Sequence, residues 1–170
     1  MGSEWKGRYR EVIASLVLHG NVILRTQSSS LFDIGEGVIV TPQQWQILEY
    51  IVENSDKLFN MNEISYRLSV PQSTFSKTVK MLYENDLVEK YQAVNNRKNI
   101  ILRPTEKGLR IYKYHSEEHV KPFFQGFFDA LKDVSDIDLH ALAKAIETLD
   151  NEMLPERKEE IETIKLERAP

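Results

Sequence analysis

Trp5, Tyr9, Val12, Ile13, Leu16, Val17, Ile23 and Leu24 recur at three- and four-residue intervals, the spacing that gathers side chains on one face of a helix. The pattern predicts one amphipathic helix over residues 4–29, longer than a small core needs. Gly20 falls within the stripe, where a missing side chain lets another backbone approach at a helix cost of about 1 kcal/mol. Residues 28–40 read as a loop around Gly35-Glu36-Gly37, with Val38-Ile39-Val40 apolar enough to dock. At Thr41-Pro42-Gln43-Gln44 a capping hydroxyl precedes a proline suited to the first helical position and a glutamine able to close a capping box. Trp45, Leu48, Ile51 and Val52 then mark the buried face of a second helix that ends near Asn54-Ser55. Asn60-Met61-Asn62-Glu63 starts a third, short helix through Ile64 and Leu68.

Ser69-Val70-Pro71 is a turn, because Pro71 can begin a helix but not continue one. The helix after it runs to about Asn85, with Phe75, Val79 and Leu82 inward and Gln72, Ser73, Thr74, Ser76, Lys77 and Lys80 outward or toward its start. A short helix, a three-residue turn and a helix with a polar, basic outer face make a helix-turn-helix pattern. Leu87 to Tyr91 and Asn99 to Arg103 read as two strands of a hairpin with a basic tip, Val94-Asn95-Asn96-Arg97-Lys98. Pro104-Thr105 closes it and caps a helix carrying Leu109, Ile111, Tyr112, His115, His119 and Val120. Pro122 should kink or restart that helix, and Phe123, Phe124, Phe127, Phe128 and Leu131 continue its apolar surface. A last helix begins near Ser135, and Glu156 to Arg168 is a tail of interspersed charges, a solvated helix or frayed. No internal repeat is present.

Charge sharpens the picture. The chain is 170 residues long with a formal charge of −4, yet residues 61–110 hold nine basic and five acidic side chains, leaving the other 120 residues at −8. A basic middle between acidic arms suits a nucleic-acid-binding module mounted on another scaffold. The absence of cysteine excludes disulfides, thiol nucleophiles and iron–sulfur ligation. Neither a membrane span nor a signal peptide is read, so the expected compartment is the cytoplasm. No Gly-rich phosphate loop, Gly-x-Ser-x-Gly or His-Glu-x-x-His occurs, and the chain is not expected to be an enzyme.

Residues 41–110 resemble the winged helix-turn-helix of the MarR family of bacterial transcription regulators. The resemblance rests on Leu68 through Ser76, Leu82, Leu87-Val88-Glu89-Lys90, Asn96-Arg97-Lys98 and Pro104-Thr105-Glu106-Lys107-Gly108. Three positions depart from the family pattern: Asn96 replaces the wing aspartate, Asp86 the glycine after the recognition helix, and Pro104 the leucine before the capping threonine. The fold class implied is mainly α with a small β-hairpin wing (α+β). A single MarR-like domain, 1–170, would comprise dimerisation helices at 4–30 and 106–153, a winged helix-turn-helix at 41–105 and a charged tail at 155–170.

A helix about 10–12 Å across fits the major groove of DNA, and its first turns face the base edges. Gln72, Ser73, Thr74, Ser76 and Lys77 are therefore candidate base readers, Lys80 a phosphate contact, Arg97 beside Asn96 a minor-groove probe and Lys98 a phosphate contact. The plain alternative, a solvated helix face and an ordinary hairpin turn, loses ground because turn, helix, hairpin and charge offset occur in order. One small winged domain cannot cover Trp5, Tyr9, Ile13, Leu16 and the Phe123 to Phe128 cluster, so a two-fold homodimer on a pseudo-palindromic double-stranded DNA operator is expected.

The resemblance further implies a repressor released by a small aromatic effector bound near Trp45, Tyr112 and His115. His115 and His119, one helical turn apart, have a metal-compatible spacing. Zinc-responsive members of the resembled family use such a pair with ligands near the first loop, where Asp33 and Glu36 are available. No cofactor is required in the main reading, and a zinc-responsive regulator is an alternative to it. A second alternative is a winged-helix protein–protein adaptor without sequence-specific DNA binding.

Overall fold

The computed structural model describes residues 4–26, 30–93, 96–153 and 166–168. A 3-10 turn, Glu4–Tyr9, leads into α1, Arg10–Thr26, across a break at Gly7 (φ 44°, ψ −131°), a conformation open to glycine. The helix expected over 4–29 is thus interrupted near its start, and residues 27–29 lie outside the described ones. The expected loop that follows contains a miniature hairpin, β1 (Phe32–Asp33) against β2 (Ile39–Val40), with Phe32 opposite Val40. Its turn takes positive φ at Gly35, Glu36 and Gly37 and is held by the Gly35 N–H donating to the Asp33 carboxylate at 2.7 Å. Ile34, Val38 and Val40 are buried, so the segment docks, while Ile39 points to solvent.

Both sequence-read helix starts form. At α2 (Pro42–Glu53) the Thr41 hydroxyl accepts from Gln44 N–H at 3.2 Å, and Thr41 N–H donates to Gln44 Oε1 at 2.9 Å. At α3 (Met61–Arg67) Asn60 Oδ1 accepts from Asn62 and Glu63, and Asn60 N–H donates to Glu63 Oε2 at 2.6 Å. Each box satisfies amides that a helix end leaves orphaned. The fourth helix, α4 (Gln72–Glu84), buries Phe75, Thr78, Val79 and Leu82. The hairpin is longer than expected: β3 (Val88–Ala93) pairs antiparallel with β4 (Asn96–Pro104), from Val88↔Pro104 to Ala93↔Asn96, with a register shift between Gln92 and Ala93. Asn60 bridges Ile101 on the far edge of β4.

Helix α5 (Glu106–His115) runs on through a π turn, Ser116–Val120, into α6 (Lys121–Leu131). Pro122 is the cause expected from sequence. It has no N–H for the Glu118 carbonyl and its ring crowds that group, so the helix widens just before it and restarts with proline in the first turn. Helix α7 (Asp136–Met153) follows, its start capped by the Ser135 hydroxyl accepting from Asp138 N–H at 3.2 Å. The tail holds one described element: β5, Leu166–Arg168, is paired with β3 rather than helical or frayed.

One core joins β1–β2, α2, α3, α4, the β3–β4 hairpin and α5, centred on Ile47, Leu48, Phe75, Val79, Leu82 and Leu87. Helices α1 and α6 bury no residue of their own. Most of their apolar side chains stand in solvent instead, with Leu24 77% and Phe123 81% exposed, and on α7 Ile137 is 81% exposed.

Candidate nucleic-acid interface

The turn between α3 and α4 is fixed from within. Buried Ser65 donates its hydroxyl to the Val70 carbonyl at 3.0 Å, and Val70 N–H returns to the Ser65 carbonyl at 2.9 Å. Ser69 between them takes a left-handed φ of 53°. Pro71 then launches α4 without a side-chain cap, so the first-turn amides keep donors that water or a phosphate can use. With Phe75, Val79 and Leu82 fully buried, the helix cannot rotate, and Gln72, Ser73, Ser76, Lys77 and Lys80 are all exposed. Thr74 is half-buried. Lys80 lies 3.7 Å from Glu84 one turn on, whereas Lys77 has no carboxylate partner among the described residues. The predicted readers therefore share one surface.

Behind α4 sits a joint that fixes the hairpin. Asp86 adopts φ 58°, the left-handed conformation that favours glycine, which accounts physically for the residue type it replaces. The Thr105 hydroxyl donates to the Asp86 carbonyl at 2.6 Å and accepts from Gly108 N–H at 2.9 Å. Lys107 Nζ reaches the Asn85 carbonyl at 3.0 Å. Gly108 lets α5 start directly on the Leu87 backbone, where a Cβ would lie 2.1 Å from the Leu87 oxygen. On the other side Arg103 donates to the Lys57 carbonyl at 2.6 Å, tying β4 to the loop before α3. Asn96, Arg97 and Lys98 lie at the start of β4 beside the hairpin end. Their side chains, with Val94 and Asn95, are outside the described residues.

Trp45, Tyr112 and His115, named above for an effector, are brought together from α2 and α5. Trp45 stacks on Tyr112 with centroids 5.9 Å apart and meets His115 edge-on at 4.4 Å, and Phe32 from β1 stacks on His115 at 5.4 Å. Phe32 was not anticipated, and nothing in its own stretch signals this contact. His115 is 6% exposed, and its Nδ1 and the neighbouring Ser116 hydroxyl are buried without a hydrogen-bond partner. Burial, with the nearby His119, lowers the His115 pKa. Burial also pushes the Tyr112 phenol up to about 12, helped by the Glu53 carboxylate that accepts its hydrogen bond at 2.8 Å. Burial and then Glu53 raise Glu49 alongside. The three residues pack on one another. An open cleft of about 480 Å³ lies elsewhere, between Arg67 and Ser69 and the α7 residues Ala143, Ile146, Glu147, Asp150 and Asn151.

His115 and His119 do approach, with centroids 4.9 Å apart. Their neighbours are aromatic, however, and the acidic residues suggested as further ligands are engaged elsewhere. Asp33 holds the β1–β2 turn, and Glu36 pairs with Arg110 at 3.3 Å. Among the described residues no group of three or more His, Cys, Asp or Glu side chains is placed to hold a metal ion.

A helix-turn-helix with an exposed polar and basic second helix, braced by a two-stranded hairpin, defines a winged helix protein. Residues 40–108 match the family described as the winged helix DNA-binding domain. The chain is also similar to solved MarR-type structures. One is a zinc-responsive MarR family member, Lactococcus lactis ZitR (18% identity, 85% of this chain and 99% of that one, TM-score 0.54). Another is the adhesin competence repressor AdcR of Streptococcus pyogenes (17%, 86% and 98%, TM-score 0.51). A third is wild-type ZitR in complex with DNA (19%, 86% and 98%, TM-score 0.51). No curated protein matches the chain. At these identities the likeness shows the fold alone, and the winged helix DNA-binding domain accounts for residues 40–108. Among the described residues no helix is long and apolar enough to cross a membrane.

Proposed function

We propose that the protein is a homodimeric, sequence-specific repressor of transcription that binds a pseudo-palindromic operator through α4 and the wing. The observation that carries this reading is the outer face of α4. Gln72, Ser73, Ser76, Lys77 and Lys80 are exposed on a helix whose rotation the buried Phe75, Val79 and Leu82 fix. Such a face combines base-reading amide and hydroxyl groups with phosphate-seeking ammonium groups. The dimer is supported by the apolar faces of α1, α6 and α7, which a soluble chain covers with a matching surface, and two-fold symmetry matches a two-fold operator. A small aromatic effector wedged beside Trp45, Tyr112 and His115 would act by favouring a dimer whose two α4 helices no longer match the half-sites.

Genomic-fragment selection with the purified protein, followed by salt titration of a recovered duplex, tests this reading. A pseudo-palindrome is expected, bound with a steep salt slope that Lys77→Ala makes shallower by about two units, one phosphate contact's share in each half-site. Absence of enrichment at low salt, or a slope indifferent to Lys77→Ala, would refute it. A monomeric mass at micromolar concentration would remove the dimer.

A further inference from the structure

The charged tail contributes β5 to the wing. Leu166–Arg168 runs antiparallel to β3 in the register Tyr91↔Arg168, Gln92↔Glu167 and Ala93↔Leu166. The other edge of β3 belongs to β4, where Ala93 faces Asn96. The third strand therefore lies at the far end of the hairpin, not at its base, where Val88 faces Pro104. An open strand edge is a row of unpaired amide and carbonyl groups that takes up an extended segment of suitable register. Here the occupant is this chain's own segment.

Position gives the contact a consequence. Adjacent strands lie about 4.8 Å apart, so a third strand widens the backbone of the wing end from about 5 to about 10 Å. The minor groove of B-DNA is about 6 Å wide. At that width the groove takes side chains from the wing end, and a third strand broadens the backbone that must come down between the two phosphate ridges. We infer that segment 166–168 is a self-docking strand that caps the β3 edge and competes with insertion of the wing into duplex DNA. The competition rests on the DNA-binding reading above, whereas the docking does not.

Two variants of the full chain test it: the chain cut after residue 165, and Leu166→Pro combined with Glu167→Pro. The prolines remove strand amides without shortening the chain. The first readout needs no DNA. Hydrogen exchange of the peptide spanning 91–93 should accelerate in both variants, while that of 100–102 stays as in the wild type. The second is affinity for the selected duplex and for a mixed-sequence duplex at fixed salt. Both variants should bind about fivefold tighter, the factor that follows when about one molecule in five is open. Unchanged exchange at 91–93 would overturn the docking. Faster exchange with unchanged or weaker duplex binding would overturn the competition alone. Faster exchange with no duplex binding by wild type or variants would remove the competition together with the DNA-binding reading, and leave the docked strand standing.

Discussion

Gly108 is the position at which two general rules give opposite signs and the structure decides between them. On helix propensity alone, Gly108→Ala in the first turn of α5 should stabilise the protein by about 1 kcal/mol. The methyl group, however, would lie 2.1 Å from the Leu87 carbonyl oxygen and 3.0 Å from its carbon. Non-bonded heavy atoms settle near 3.5 Å, so the Leu87 carbonyl or the start of α5 must retreat by roughly 1 Å. Neither is loosely held. Leu87 N–H donates to the Leu82 carbonyl at 2.9 Å, and the Leu87 oxygen accepts from Thr105 N–H at 3.0 Å. The Leu87 side chain is fully buried. Losing one such hydrogen bond costs about 1 kcal/mol, and overpacking a close contact costs about 2 kcal/mol. Set against the propensity gain, the net loss is about 2 kcal/mol. That lowers Tm by about 4–8 °C for a chain of this size. Thermal unfolding at matched protein concentration, with a urea titration to show a lower midpoint at unchanged slope, measures it. A Gly108→Ala protein as stable as the wild type would refute the tight joint, and with it the account of how α5 holds the wing against α4.

Three further substitutions are diagnostic. His115 has a lowered pKa, so its contribution to stability is present above the unfolded value of about 6.5 and is lost as pH falls below it. His115→Phe, which also removes the orphaned Nδ1, should flatten the acid limb of the denaturant midpoint plotted against pH, and an unchanged limb would mean that the imidazole is hydrated. Tyr112, raised to about 12, contributes stability that is full below the unfolded value of about 10 and is lost as pH climbs through 12. Tyr112→Phe should delete a phenol ionising at about 12 from the ultraviolet titration and cost about 1 kcal/mol or less. Asp86→Gly relieves a left-handed backbone at φ 58° and should stabilise by about 0.5 kcal/mol after the added entropy of the unfolded chain is counted. A lower urea midpoint would instead assign a structural role to the Asp86 carboxylate.

What the sequence made legible was local chemistry. The capping boxes at Thr41 and Asn60 need only residues three apart, and both form as read. The inward trio Phe75, Val79 and Leu82 follows from helical period alone, and because that trio is buried the candidate DNA-contacting face follows too. Pro122 forecast an interruption from its missing N–H, though not that it would be a π turn. The features that escaped depend on partners distant in sequence. The strands β1 and β2 are two residues each, too short for a period of two to show. His115 was read as half of a metal-compatible pair because i and i+4 spacing is visible. The rings that enclose it, Phe32 and Trp45, come from elements 83 and 70 positions upstream. The tail fails for a related reason: interspersed charges suit a solvated helix, and only the unfilled edge of β3, a product of the folded wing, supplies the partner that turns Leu166–Arg168 into a strand. The winged core is thus encoded segment by segment, whereas the aromatic enclosure of His115 and the strand on the wing arise only where the finished core brings together residues distant in sequence.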